Sequence, residues 1–455
     1  MKHVHLIGIG GTGMSSIARV LLEKGYTVTG SDRALSALAL DLQQHGAQVF
    51  EGHAAENIQG ADVIVRSSAI PDTNVEVVAA RAAGIPVLKR SDFLGSLLSD
   101  HFGIAVAGSH GKTTTTAMLA YVLTQLGEDP SYIIGGVSKD LSSNAHAGQG
   151  KYFVIEADEY DRMFMGLKPD LVLLTNVEYD HPDCYPTPAD YLAAFSAFLG
   201  NIQPLGRLIA CADYPNTAAL LAAKPASLQT LTYALNAAAE VQASNCFANR
   251  RGGFDYALTI QGQSYGRVSL QVPGEHNVRN SLAVLAAVFA LRLDVAKASE
   301  SLAHFTGTGR RFDVLGEANG VIVVDDYAHH PSKIQATLSA ARSRYPGHRL
   351  VAVWQPHTYS RTKALAQEFI QSLSIADQVI VTEVYPAREP IEAFSSASLV
   401  SQMPARKAYY CRTLPETIVL AEKILLPGDV LLVLSAGDAD QVSHQVYHDL
   451  QERKS

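Results

Sequence analysis

The strongest constraint on this chain is the run Gly108-Ser109-His110-Gly111-Lys112-Thr113-Thr114-Thr115. It lies between the apolar stretch 104–107 and a segment with Met118, Leu119, Val122, Leu123 and Leu126 at helical spacing. A strand, a glycine turn and a helix in that order leave unpaired backbone amides at the helix N-terminus, which is a phosphate cradle. Lys112 there neutralises β- and γ-phosphate charge, and the Thr113 hydroxyl is placed for Mg²⁺. The run is not a strict Walker A motif, because Val106 stands where that pattern has glycine. It nonetheless predicts an open α/β sheet with its ligand at the carboxyl ends of parallel strands.

A second glycine turn opens the chain. Gly8, Gly10 and Gly13 follow the apolar run 4–9 and precede Met14, Ile17, Ala18 and Leu21 at helical spacing, with Gly25 as a stop. This is the G-x-G-x-x-G arrangement, and Asp32, about 20 residues on, is placed for a ribose hydroxyl. The pattern reads a pyrophosphate and a ribose, so it fits NAD, FAD or a UDP-sugar equally. The bland alternative is a structural glycine turn.

Strand-like and helical runs alternate along the whole chain and divide it into three α/β units, at about 100–200 residues per domain. The expected boundaries are residues 1–100, a Rossmann-like unit; 101–308, a P-loop-type ATPase unit; and 309–455, a second Rossmann-like unit. Residues 228–273 read as a mostly antiparallel extension of the middle unit. In the third, runs at 321–324, 350–354, 379–381 and 430–434 read as strands, and 334–344 and 364–373 as helices.

Apolar residues make up 47% and charged residues 18%, with a net charge of −8 and no basic tract, which argues against nucleic acid or anionic membrane as a partner. Four dispersed cysteines (Cys184, Cys211, Cys246, Cys411) form no CxxC pair, so a reducing compartment fits. No signal-peptide pattern or span of about 18 apolar residues is present. A cytoplasmic protein is expected, as a monomer or homodimer.

Polar clusters follow two middle-unit strands: Glu156-Ala157-Asp158-Glu159, then Asn176 and Asp180-His181. A carboxylate shared with phosphate oxygens suits Mg²⁺, and Glu156 supplies one. His181 taken alone reads more naturally as a neighbour of the site than as a ligand, because imidazole is an unusual Mg²⁺ donor. Asp325-Asp326 and His329-His330 fit equally a solvated strand end and a polar helix start.

Taken in order, GIGGTGMS at 8–15, GSHGKTTT at 108–115, EADEYD at 156–161, TNVEYDHPD at 175–183, HNVRN at 276–280, GRRFD at 309–313 and DDYAHHP at 325–331 resemble the Mur ligases over essentially the whole chain. The resemblance implies an ATP- and Mg²⁺-dependent ligase of peptidoglycan precursor synthesis. Its substrates would be UDP-N-acetylmuramate and, from QPHTYSRT at 355–362 and EVYPAREP at 383–390, L-alanine rather than a recycled tripeptide. An NAD-dependent oxidoreductase is the alternative from another class, but it leaves the second glycine loop without a role.

The resemblance also implies residue roles. Lys112, Thr113, Glu156 and His181 would hold phosphates and metal, with Thr113, Glu156 and His181 as metal ligands. His276, Asn277 and Asn280 would lie near adenine, Arg311 near the γ-phosphate and Asp326 near the ATP ribose. Gly10, Gly11, Gly13, Met14, Ser15, Ser31 and Asp32 would receive the UDP moiety. Tyr327, His329 and Arg361 would face the substrate carboxylate or the incoming amino acid, with Lys112, Glu156, His181, Arg311 and His329 carrying the chemistry.

Two departures stand out. Thr358 occupies a position where some relatives carry arginine. No lysine lies between Lys168 and Lys224 to serve as the carbamylated lysine of sibling ligases. Because third-unit residues must meet ATP held by the second, domain closure on substrate binding is predicted.

Overall fold

The computed structural model describes residues 2–404 and 407–452. They build three sheets in chain order. The first is five-stranded and wholly parallel, ordered Gln48–Glu51, Thr27–Asp32, His3–Ile7, Val63–Arg66, Val87–Lys89. The opening strand stops at Ile7, two residues short of the apolar run, because Gly8 turns away with φ +84°.

The second sheet has ten strands and is centred on Phe102–Ala107, flanked by Leu171–Leu174 and Tyr152–Glu156. Ile104, Ala105, Val106 and Ala107 are all 0% exposed. A parallel strand covered on both faces must be apolar throughout, which is why it reads as a continuous run rather than an alternation. Each fully buried valine, leucine or isoleucine of these strands contributes roughly 1.5–3 kcal/mol. Residues 228–273 extend this same sheet: Gln229–Ala234 pairs in parallel on both sides, and antiparallel pairing begins only between Val241–Ala248 and Phe254–Ile260.

The third sheet has six strands, with the antiparallel Asp313–Ala318 at one edge and Val321–Asp326, Asp429–Leu434, Arg349–Trp354, Gln378–Val381 and Ala408–Tyr410 in parallel beyond it. Trp354 is fully buried in its core. The helical stretch expected at 364–373 is broken: one helix covers Tyr359–Ala364 and another Ala366–Leu373, with Leu365 between them at φ −116°. The helix after the paired histidines starts at Pro331, whose missing N–H costs nothing at a first helical position. Among the described residues no helix is long and apolar enough to cross a membrane.

The units interlock. Asn144 donates to Ser16 at 2.8 Å and the Ala147 amide to Glu23 at 2.7 Å, joining the first helix to the middle sheet. The helix Arg90–Leu98 meets the turn Tyr160–Gly166 backbone to backbone: a Cβ at Gly95 would lie 2.4 Å from the Gly166 carbonyl oxygen. Gly95→Ala is therefore expected to lose about 1–3 kcal/mol, read as a lowered urea midpoint. An unchanged midpoint would contradict the close approach.

Candidate active site

The 108–111 loop is shaped by two positive-φ glycines. Gly108 has φ +135°, and a Cβ there would sit 2.1 Å from Thr175 Oγ1; Gly111 has φ +83°, and its Cβ would sit 2.7 Å from Asn280 Oδ1. Neighbours brace the loop: the Ser109 amide donates to the Asn176 carbonyl at 3.0 Å and the His110 amide to Asn176 Oδ1 at 2.9 Å. The helix Lys112–Gln125 that follows has no side-chain cap and no acidic residue in its first turn. The same holds for Thr12–Glu23 after the first glycine turn. Both helix N-termini thus keep amides available for an anion.

Charge is concentrated at the second loop. Lys112 Nζ donates to the Gly108 carbonyl at 2.7 Å and to Glu159 Oε2 at 2.5 Å. Burial alone lowers the Lys112 pKa, but Glu159, Asp158 and Glu156 outweigh it and the net shift is upward. Glu159 is held down to about 2, since Lys112 and His181 overcome its burial. Glu156 shifts the other way: burial raises it more than Lys112 lowers it. Its carboxylate accepts from Thr113 Oγ1 at 3.1 Å and from the Gly135 amide at 2.8 Å. A hydroxyl beside a buried, poorly compensated carboxylate at the phosphate loop is a donor set that suits a hard divalent cation.

His181 stands in the left-handed region at φ +58°. Its Nδ1 lies 3.4 Å from Arg361 Nη2, which can only donate, so Nδ1 is the acceptor and Nε2 carries the proton toward Glu159 Oε1 at 3.5 Å. Both nitrogens are engaged, so ligation by His181 requires releasing one of them. Arg361 also gives Nε and Nη2 to Asp180 Oδ1 at 3.0 and 2.7 Å, in a pair whose side chains are 5% and 1% exposed. Burial pushes Asp180 up, and the Arg361 guanidinium overrides it and holds the carboxyl well below its ordinary range.

The third unit adds more groups. Arg311 Nη2 reaches Thr113 Oγ1 at 3.5 Å, and its guanidinium lies 4.8 Å from the centroid of the Tyr327 ring. His329 Nδ1 is 2.9 Å from the Tyr327 carbonyl, so Nδ1 holds the proton and Nε2 keeps its lone pair. Burial, then Lys333 and Arg361, push the His329 pKa well down, and the ring is neutral at pH 7. Asp326 is buried and accepts the Phe312 amide at 2.7 Å, so one of its oxygens holds the 310–312 turn.

Near Gly111, Asn280 donates to Asn277 Oδ1 at 3.0 Å and Asn277 to the Pro273 carbonyl at 2.7 Å. Burial, then Arg279, lowers the neighbouring His276 to about 4.

At the first loop the Gly10 amide donates to Asp32 Oδ2 at 2.9 Å, and Gly11 caps the helix. Met14 and Ser15 turn inward, at 1% and 3% exposed, so their side chains serve packing and the helix backbone. Ser31 is also buried and donates to Glu76 Oε2 at 2.6 Å.

Two groups escaped the sequence reading. Arg90 packs against Gly13, where a Cβ would lie 1.6 Å from its Nη1, and reaches Asp158 at 3.7 Å across the domain junction. Lys333 faces Asp180 among Arg311, Lys112 and Arg361, and burial with those cations lowers it to about 8. Neither residue lies in a glycine loop, and although Arg90 directly follows the strand Val87–Lys89, only the fold brings the two to the site. The proline-histidine start of the helix was the one signal near Lys333.

Two glycine-turn helices without side-chain caps, each following a strand of a separate sheet, and a third unit that lends cations to one of them, define a multidomain nucleotide-dependent enzyme. Residues 3–102 match the family model described as Mur ligase family, catalytic domain. Residues 106–288 match the Mur ligase middle domain, and 310–437 the Mur ligase glutamate ligase domain. The chain belongs to the Mur ligase family.

It is 43% identical to the UDP-N-acetylmuramate–L-alanine ligase of Salinibacter ruber, over 96% of this chain and 93% of that one. It is 41% identical to the protein of the same name from a Geobacter species, over 100% and 99%. Among solved structures, the UDP-N-acetylmuramate–alanine ligase of Thermotoga maritima superposes with a TM-score of 0.83 at 30% identity, covering 99% of both chains. A murein peptide ligase from Psychrobacter arcticus gives 0.72 at 26%, also over 99% of both.

The network below Ser31 yields a pH prediction. Glu76 accepts from Ser31 and from Asn57 at 2.7 Å, with His5 at 3.8 Å, and these groups overcome its burial and lower it from 4.5 to about 2. The unfolded chain therefore takes up this proton first. The stabilisation is complete above pH 4.5 and is lost as pH falls toward about 2. Urea midpoints measured across that window should fall less steeply for Glu76→Gln than for the unaltered chain; equal slopes would contradict the assignment.

Proposed function

We propose that this chain is the ligase that joins L-alanine to the carboxylate of UDP-N-acetylmuramate with hydrolysis of ATP to ADP and phosphate, in the cytoplasm, during peptidoglycan precursor synthesis. The observation that carries the reading is the end-to-end likeness, at 41–43% identity, to proteins bearing that name. The site geometry supports it. A carboxylate does not condense with an amine in water unless its oxygen is first made a leaving group. The sugar carboxylate oxygen attacks the γ-phosphorus of ATP, ADP departs, and an acyl phosphate forms. The amine then attacks the carbonyl carbon and phosphate leaves.

The protein's contribution is placement and charge. Residues 1–100 receive the UDP-sugar, with its pyrophosphate at the Gly10, Gly11 and Gly13 turn before the first helix and its ribose at Asp32, which also holds the Gly10 amide. Residues 101–308 hold ATP on the 108–114 loop, with adenine toward His276, Asn277 and Asn280. Lys112 and Arg311 neutralise the transferring phosphoryl group. Mg²⁺, when bound by Thr113 and Glu156 with His181 beside it, supplies further charge neutralisation to the phosphates.

Residues 309–455 bring the amino acid. Asp180 fixes Arg361 through Nε and Nη2, and its Nη1, now 3.3 Å from His357 Nδ1, is the edge that would turn to the alanine carboxylate, near Tyr327 and His329. The alanine ammonium must lose a proton before attack, and His329 or His181 would accept it, His329 as a base weakened by its burial. Asp326 lies toward the ATP ribose.

A second reading, attachment of a tripeptide to the same sugar, rests on the likeness to ligases of that type, which superpose less well, at TM-scores of 0.72 and 0.62 against 0.83 for the Thermotoga maritima enzyme. Phosphate release with ATP, Mg²⁺ and UDP-N-acetylmuramate separates the two readings. Release is expected on adding L-alanine. Release with the tripeptide alone would move the assignment to the recycling reaction, and none with either would overturn both.

A further inference from the structure

At the nucleotide loop, on the side away from Lys112 and Glu156, one loop residue and two neighbours from two domains offer three potential ligands. One donor atom each of His110, Glu178 and His330 lies within 4.8 Å of the others. The two imidazole centroids are 5.0 Å apart, and His110 Nε2 is 3.2 Å from Glu178 Oε2. His330 is 7% exposed.

The hydrogen bonds fix where the lone pairs are. Ser332 spends its single hydroxyl proton on Glu178 Oε2 at 2.6 Å, so its oxygen accepts from His330 Nδ1 at 2.9 Å. His330 Nε2 is then a lone pair, and it is buried with no hydrogen-bond partner. His110 donates Nε2–H to the carboxylate, and its Nδ1 is likewise a buried acceptor without a partner. Each orphaned imidazole lone pair is costly to bury. A cation taking the place of the His110 Nε2 proton, with that proton moving to Nδ1, would be held by His110 Nε2, Glu178 and the His330 Nε2 lone pair.

Protonation does not meet that need. Burial, then His110, pushes His330 down to about 3, and burial lowers His110 as well. Glu178 stays ionised at about 2, because the His110 and Ser332 contacts outweigh its burial. Two neutral imidazoles and one carboxylate are a donor set for a borderline-soft divalent ion rather than for Mg²⁺. Ser332, bonded to both Glu178 and His330, is the outer partner that orients such ligands.

We propose that His110, Glu178 and His330 form a binding site for a divalent transition ion of the zinc class, separate from the phosphate-bound cation, which staples the nucleotide loop to the third domain. Binding there makes the ion an adjustable clamp on closure.

Co²⁺ titrated into the full chain, with Mg²⁺ in excess to hold the oxygen site, tests this through its visible d–d absorption. One equivalent is expected to bind. His330→Ala and Glu178→Gln should each weaken it by about tenfold or more. The Gln variant keeps the side chain's size, and circular dichroism melts confirm that both variants are folded. His448→Ala, in the exposed His448–Asp449–Glu452 group of the last helix, should leave the binding unchanged. Absence of a stoichiometric band, or a band lost in His448→Ala and kept in His330→Ala, would overturn the site.

Discussion

The working arrangement of this enzyme rests on one buried ion pair. Arg361 and Asp180 are 181 residues apart in sequence and belong to different sheets, yet they meet at 2.7 Å almost wholly out of water. Such a pair is a poor source of net stability, because desolvating both charges offsets most of the attraction. Its value is geometric. Breaking it leaves an uncompensated buried charge, at a typical cost of about 3–5 kcal/mol, so the third domain is strongly biased to one seating. From that seating follow Arg311 at Thr113, Ser332 at Glu178 and Arg388 4.6 Å from the centroid of the Tyr160 ring.

The same junction collects backbone strain. His181 and Thr358 both have positive φ, and at a β-branched threonine that conformation is costly. Thr358 caps the short helix that carries Arg361, and its amide donates to the Tyr385 carbonyl at 2.9 Å. The strain is thus local to the two segments that present Arg361 and His181 to each other. The tightly held pair and the strained turns belong to one device that aims a guanidinium.

Much of this was legible in the sequence because its causes are local. A buried parallel strand must be a continuous apolar run, and a glycine turn before a helix must expose amides, so residues 104–115 announced the strand, the turn and the helix of the candidate site. The polar clusters after Tyr152–Glu156 and Leu171–Leu174 were equally readable, since strand ends in such sheets face the ligand crevice. Edge strands such as Asp313–Ala318 and Ala408–Tyr410 were missed because they are short and half-exposed and lack a long apolar run. Arg90, Lys333 and the Asp180–Arg361 pair were missed for a different reason. Their meaning comes from partners in other domains, and neither spacing nor periodicity records such encounters.

The central claim is that Arg361 and Asp180 act as one unit in assembling the site. Phosphate release measured for the unaltered chain, Asp180→Ala, Arg361→Ala and the double variant tests it most directly. The double variant is expected to be within about threefold of the slower single variant, so that the two losses do not add. Two defects that simply multiply would contradict it.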